Sequence, residues 1–209
     1  MFEHILHFFT GGGIFMLPLI LISLISVSFI IERGLALRRS VIIPENLYRS
    51  ISTLKIGQST STIASLAEAG RTTLARLVRV CLEHRPWSKV ENVEAVQTQA
   101  RREINQLERG LLVLEITIGI GPLLGLLGTV SGLIGIFSGI SNTGGEQQLL
   151  IAKGISEALY TTVAGLVVAI PSVIAHSYYT KKIESLSVEM ETICMDLMAK
   201  IYLDNSQND

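Results

Sequence analysis

Charge is scarce in this sequence. Only 17% of the 209 residues are Asp, Glu, Lys or Arg, against roughly 25% in soluble chains. Apolar residues make up 48%, and the mean hydropathy is +0.47. That balance excludes an ordinary soluble domain. Neither sign of charge dominates: 17 basic and 18 acidic side chains leave a net charge of −1, so no global field gathers nucleic acid. Cysteine is nearly missing. Cys81 and Cys194 lie far apart, without companions at metal-ligand spacing, and read as small buried thiols. The histidines His4, His7, His84 and His176 are scattered, and His4 and His7 read as interfacial residues. No Ser-His-Asp set and no phosphate loop occurs, since Gly144-Gly145 reads as a turn in a connection. An enzyme is therefore the least favoured class, and no metal or cofactor is called for. Strand-rich segments and internal repeats are also lacking. No basic residue precedes the first apolar run, which argues against a cleaved leader.

What the chain does have is three long apolar windows. A helix needs about 20 mostly apolar residues to cross a bilayer. Residues 13–32, 116–140 and 155–180 qualify, and the first two contain hardly an ionisable group. The expected fold is all-α, a polytopic membrane protein with three transmembrane helices. Orientation follows from Lys and Arg near the span ends. Arg33, Arg38 and Arg39 follow the first span, Arg101, Arg102 and Arg109 precede the second, and Lys181 and Lys182 follow the third. The short connection 141–154 holds only Lys153, so 16 of the 17 basic residues share one side. That side is expected to be cytoplasmic. The N-terminal segment 1–12 and the 141–154 connection are then periplasmic, and 33–115 and 181–209 cytoplasmic.

The second and third helices are expected to extend into the cytoplasm. Val96, Ala100, Ile104, Leu107, Leu111 and Leu114 recur at steps of three and four, and Ile183, Leu186, Met190, Ile193, Leu197 and Ile201 form a second helical stripe. Pro86-Trp87-Ser88 reads as a helix start with Ser88 as N-cap, and Gly110 is the one breaker before the second span. The stretch from Val41 to Gly70 reads as linker and short helices.

The second span carries Gly121, Gly125, Gly128, Gly132, Gly135 and Gly139 at steps of 4, 3, 4, 3 and 4, one helical face without side chains. The third answers with Ala158, Thr162, Gly165 and Ala169. Small faces let backbones approach closely in a membrane. Two readings stand: the faces pack on each other within one chain, or they offer a surface against which something narrow slides. Thr129 and Thr162 lie deep in the spans, with Ser131, Ser138 and Thr161 nearby. Each hydroxyl either bonds its own helix or lines a hydrated path for an ion. Glu157, in the first turn of the third span, either complements the helix dipole or attracts cations at an outer mouth. Glu115 stands at the other end of the second span, with the same choice. No carboxylate sits mid-membrane, where a proton channel normally needs one, so a partner is expected to supply it.

The runs GGIFMLPLILISLISVSFIIER (12–33), GPLLGLLGTVSGLIGIF (121–137) and GISEALYTTVAGLVVAIPSVIA (154–175) resemble the three spans of the ExbB/TolQ family, most closely ExbB. The resemblance implies a proton-driven stator of the bacterial inner membrane. Five copies would ring two single-span helices of the ExbD/TolR type, whose aspartate enters the pore. Force would pass to a TonB-like or TolA-like protein, serving outer-membrane uptake in the ExbB role or envelope constriction in the TolQ role. The family's pore threonines fall on Thr129 and Thr162, and its third-span glutamate on Glu157. Ser131 stands where a bulky Trp is frequent, and Thr161 where a small apolar residue is common. Both make the path more polar and leave proton against sodium open. A flagellar-type stator would bring four spans, and a non-conducting scaffold remains the alternative of a different class.

Overall fold

A computed structural model of the chain describes residues 13–140 and 147–205. His4, His7 and the Gly144-Gly145 turn lie outside the described residues. Among those described there is no strand, and three helices are long and apolar enough to cross a membrane. The chain is an all-α polytopic membrane protein.

The helices are α1 (Met16–Ala36), α2 (Arg39–Ile42), α3 (Glu45–Ser52), α4 (Ser61–Ala69), α5 (Thr73–Glu83), α6 (Lys89–Glu108), α7 (Leu111–Ile140) and α8 (Gln147–Asn205). The first crossing helix outlasts its apolar window. Glu32 and Arg33 end the hydrophobic run but favour helix, so α1 continues to Ala36. The first stripe, Val96 to Leu114, divides where the sequence places its breaker. α6 begins behind Ser88, whose hydroxyl accepts from the Glu91 amide while the Glu91 carboxylate accepts from the Ser88 amide. It ends at Glu108, and α7 restarts at Leu111 beyond Arg109-Gly110. The 141–154 connection is shorter than expected. Residues 147–154 already belong to α8, because Gln147, Gln148 and Lys153 are polar but good helix formers. Hydropathy marks the edge of a bilayer, not the end of a helix. With 59 residues, α8 is about 88 Å long, far more than a bilayer core of about 30 Å requires.

The chain divides into two compact units. One comprises Met1–Glu32 and Gly110–Tyr178, the other Arg33–Arg109 and Tyr179–Asp209. The second unit is built like a soluble helical domain. The α8 stripe of Ile183, Leu186, Met190, Ile193, Leu197 and Ile201 is buried along its whole length. Ile42, Leu47, Ile51, Ile63, Leu74, Leu77 and Val78 from the short helices of the same unit are buried as well. Polar ties secure this core. The Arg76 guanidinium donates to the Glu103 carboxylate, which is 2% exposed and also accepts from the Gln99 amide at 2.8 Å. Arg39 donates to Glu189 across α2 and α8. Tyr202 donates to the Trp87 carbonyl at 3.0 Å and accepts from the Asn92 amide at 3.0 Å, which docks the end of α8 on the α5–α6 turn.

Candidate functional site

The glycine face of α7 is spent on α8 of the same chain. A methyl built on Gly121 would lie 3.2 Å from the Gly165 carbonyl oxygen. On Gly125 it would lie 2.9 Å from the Thr161 carbonyl oxygen and 3.2 Å from the Thr162 Cα, and on Gly132 2.9 Å from the Gly154 carbonyl oxygen. On Gly128 it would collide with the Thr161 side chain. Numbers rise along α7 as they fall along α8, so the two helices are antiparallel and touch almost backbone to backbone. Gly135 has nothing within 4 Å and stands off this contact. The surroundings of Gly139 lie outside the described residues. Of the two readings of the small faces, intrachain packing is the one the contacts at Gly121, Gly125, Gly128, Gly132 and Gly165 display.

α1 occupies a different flank. Met16 and Leu19 are buried against Ala164, with Leu124 and Tyr160 beside them. The Ser26 and Ser172 hydroxyls meet at 2.7 Å. A helix turns about 100° per residue. Thr162 stands two residues from Ala164, about 200° around α8, and so on the side away from α1. Thr129 stands five residues beyond Leu124, about 140° around α7, and faces the same open side. Both threonines are half-buried. They interrupt a surface otherwise made by exposed Leu126, Leu133, Leu159 and Leu166.

The hydrogen bonding of these threonines decides what they present. The Thr129 hydroxyl donates to the Leu126 carbonyl at 2.6 Å, and the Thr162 hydroxyl to the Ala158 carbonyl at 3.3 Å. Each gives its hydrogen to its own helix. What remains on the open side is oxygen lone pairs, which accept from a hydrated proton, a protonated carboxyl or a metal cation's water. The two expected alternatives for these hydroxyls therefore coexist: bonding the helix is what turns the acceptors outward.

The other candidate residues sit elsewhere. Thr161 is fully buried in the α7–α8 contact and donates to the Ala158 carbonyl at 2.9 Å. It fills space against Gly128 and does not reach the open side. Ser131 is exposed but lies two residues, about 200°, from Thr129. Ser138 shares its side and donates to the Ile134 carbonyl at 2.8 Å. Glu115 is exposed on the same flank as Thr129, fourteen residues or about 21 Å nearer the start of α7. Glu157 is half-buried, and its side chain lies over Gly13 at the entry to α1. Five residues, about 140°, separate it from Thr162. The structure thus brings Thr129 and Thr162 to one open side and scatters Thr161, Ser131 and Glu157 away from it. Ser26, Ser172 and Gly13 were not singled out from the sequence. A serine inside each of two apolar windows was the available signal for the first pair.

In the other unit the cysteines offer no chemistry. Burial pushes the Cys81 and Cys194 thiols up to about 12, which keeps both protonated. Among the described residues no group of His, Cys, Asp and Glu is arranged to hold a metal ion.

Residues 58–192 match the MotA/TolQ/ExbB proton channel family. The chain is 33% identical over 165 residues to the putative biopolymer transport protein ExbB-like 1 of Synechocystis sp., which covers 78% of this chain and 65% of that relative. It is 32% identical over 165 residues to the biopolymer transport protein exbB1 of Vibrio cholerae, covering 77% of this chain and 72% of the relative. With the Tol-Pal system protein TolQ of Pseudomonas aeruginosa it shares 32% over 118 residues, 56% of this chain and 51% of that one.

Proposed function

This chain belongs to the MotA/TolQ/ExbB proton channel family, and on that premise we propose that it is the channel-forming stator subunit of an ion-driven motor in the bacterial inner membrane. Its N-terminus faces the periplasm and its C-terminus the cytoplasm. Five copies surround two single-span helices of the ExbD/TolR type, and the assembly energises a TonB-like protein for transport across the outer membrane. The observation that carries this reading is the open side of the α7–α8 pair. Two hydroxyl acceptors, Thr129 and Thr162, stand there in an apolar surface with no carboxylate beside them among the described residues.

The chemistry follows from that incompleteness. An acceptor-only surface holds a proton only when something else carries it. A carboxylic acid on a partner helix supplies the carrier. When protonated it donates to a threonine oxygen and is neutral enough to lie in an apolar surround. When ionised it loses that bond and is driven toward water. A charge crossing 100 mV releases about 2.3 kcal/mol, several times the roughly 0.6 kcal/mol of an average hydrogen bond between membrane helices. Contacts of this kind can be made and released at every step. Sodium would use the same oxygens, so the ion is decided by experiment.

A second reading, the TolQ-type role in envelope constriction, draws on the match to the Pseudomonas TolQ. It changes the force-receiving protein and leaves the channel unchanged. The test is mass analysis of the complex in mild detergent after co-expression with a single-span partner, followed by proton flux in vesicles. A five-to-two assembly whose flux falls at least about tenfold in Thr129→Ala and Thr162→Ala supports the reading. A chain that stays monomeric and binds no partner sinks it.

A further inference from the structure

Glu157 is the one acid at the start of α8's apolar stretch, yet its side chain is turned to α1. The entry to α1 is built around Gly13, whose φ of +65° is a left-handed conformation that residues with a side chain rarely adopt. The Gly13 carbonyl accepts from the Met16 amide at 3.2 Å and so forms the turn that opens the helix. The space where a Cβ on Gly13 would lie is taken by the Glu157 carboxylate, with its Cγ 3.3 Å away. Two separate demands therefore fall on one glycine: a backbone angle and an empty side-chain position. The carboxylate that fills that position lies at the N-terminal end of α1, where amides without helical partners and the helix dipole favour a negative charge.

We propose that Gly13 is a positioning residue for Glu157, and that the pair clasps the entry of α1 to α8. The clasp has a consequence for the site. Five residues separate Glu157 from Thr162, so a carboxylate fastened to α1 is held about 140° away from the open side. Glu157 is thereby kept off the threonine surface, and the other acid of these spans, Glu115, lies about 21 Å along α7 from Thr129. Together with the Met16 and Leu19 packing and the Ser26–Ser172 bond, the clasp fixes α1 along the flank that the open side does not use. The functional consequence rests on the channel reading, whereas the clasp itself does not.

Two measurements on the full chain, in membranes with its partner, separate these. Paired cysteines in Gly13→Cys with Glu157→Cys are expected to form a disulfide under mild oxidation, read as a linked peptide by mass spectrometry. The control pair Gly13→Cys with Thr162→Cys is expected to stay unlinked. Equal linking of both pairs, or none at 13 and 157, would overturn the clasp. In the flux assay Gly13→Ala is expected to lower proton flow about tenfold. Adding Glu157→Asp, one methylene shorter, is expected to restore part of it by withdrawing the carboxylate from the new methyl, while the strain of a side chain at the left-handed φ of +65° stays. An unaffected Gly13→Ala, or a loss that Glu157→Asp leaves untouched, also overturns the proposal. If the unaltered assembly carries no ion, the channel reading fails alone, since the disulfide is read without any flux.

Discussion

In the unit that contains the membrane spans, the tightest contacts are glycine backbone against glycine or carbonyl, as at Gly121 with Gly165 and Gly132 with Gly154. In the other unit they are side chain against side chain: leucine and isoleucine stripes, a half-exposed Arg76 paired with the buried Glu103, a tyrosine docked on carbonyls. One helix, α8, serves both and changes its surface accordingly. Its first half presents Gly154, Ala158, Thr161 and Gly165, and its second half Ile183, Leu186, Met190 and Ile193. The solvent explains the difference. Burying leucine gains about 25 cal/mol per Å² when the alternative is water, and nothing when the alternative is lipid. Close approach and van der Waals contact are then what remains to hold spans together.

The comparison is broken most severely in the water-facing unit. Arg76→Ala leaves the Glu103 carboxylate, 2% exposed, still accepting from the Gln99 amide but without its cation. Removing one member of a fully buried pair costs about 3–5 kcal/mol; the Arg76 side chain is 37% exposed, so the low end of that range is the ceiling here. The thermal midpoint of this unit is expected to fall clearly below that of the unaltered protein, followed by circular dichroism in detergent. Methionine at both positions should recover much of the loss, because the penalty belongs to the unpaired charge. A midpoint unmoved by Arg76→Ala would show that the pair is dispensable.

The second test falls on the membrane unit and uses the glycines against each other. Gly128→Leu drives a side chain into Thr161, whereas at Gly135 even the first added carbon meets nothing within 4 Å. Overpacking costs about 1–3 kcal/mol where neighbours cannot yield. Gly128→Leu is therefore expected to loosen the α7–α8 pair and raise its susceptibility to proteolysis, while Gly135→Leu leaves it intact. Equal tolerance of both would contradict the backbone contact.

These glycines also show how far the sequence could be read. The step of three and four was visible in the letters, and it placed six residues on one face. What lay opposite was not, because periodicity names a face and never its partner. Thr161 and Thr162 make the same point more sharply. They are adjacent and chemically identical, and both were expected on one polar path. About 100° of helix rotation puts Thr161 inside the α7–α8 contact and Thr162 at its edge. Only the position of α1 says which edge is open. By contrast, the α8 stripe from Ile183 to Ile201 and the start at Ser88 needed no partner to be legible. A stripe in water must be buried somewhere, and a capping box is local. The boundary missed at 147–154 was a matter of chemistry too: polar glutamines end a hydropathy window without ending a helix.

A smaller effect sharpens the water-facing side of the comparison. Ser88→Ala removes the hydroxyl that accepts the Glu91 amide and is expected to cost about 1 kcal/mol, read from denaturant unfolding. The Glu91 carboxyl is held below the usual carboxylate range by its bonds to the Ser88 hydroxyl and amide. A carboxyl lowered in the folded state contributes stability above its unfolded value and loses it as pH falls through the folded one. The difference between Ser88→Ala and the unaltered chain is therefore expected to be full at neutral pH and to shrink below about pH 4.

The smallest effect belongs to the polar tie of Ser26 on α1 with Ser172 on α8. Ser26 and Ser172 are both buried, and their hydroxyls meet at 2.7 Å while Ser172 also donates to the Val168 carbonyl at 2.8 Å. That second bond fixes the direction of the first. With its hydrogen given to Val168, Ser172 accepts, and Ser26 is the donor. Ser172 therefore keeps its helix bond when Ser26 becomes alanine, and no buried donor is orphaned. The loss is one interhelical bond, about 0.6 kcal/mol in a membrane, and Ser26→Ala is expected to shift stability by no more than that. Ser172→Ala is the more costly of the two, since it leaves the Ser26 donor without its acceptor in an apolar contact. Measuring both in the same unfolding assay tests the polarity of the bond: equal effects would mean that Ser26 finds another acceptor along its own helix.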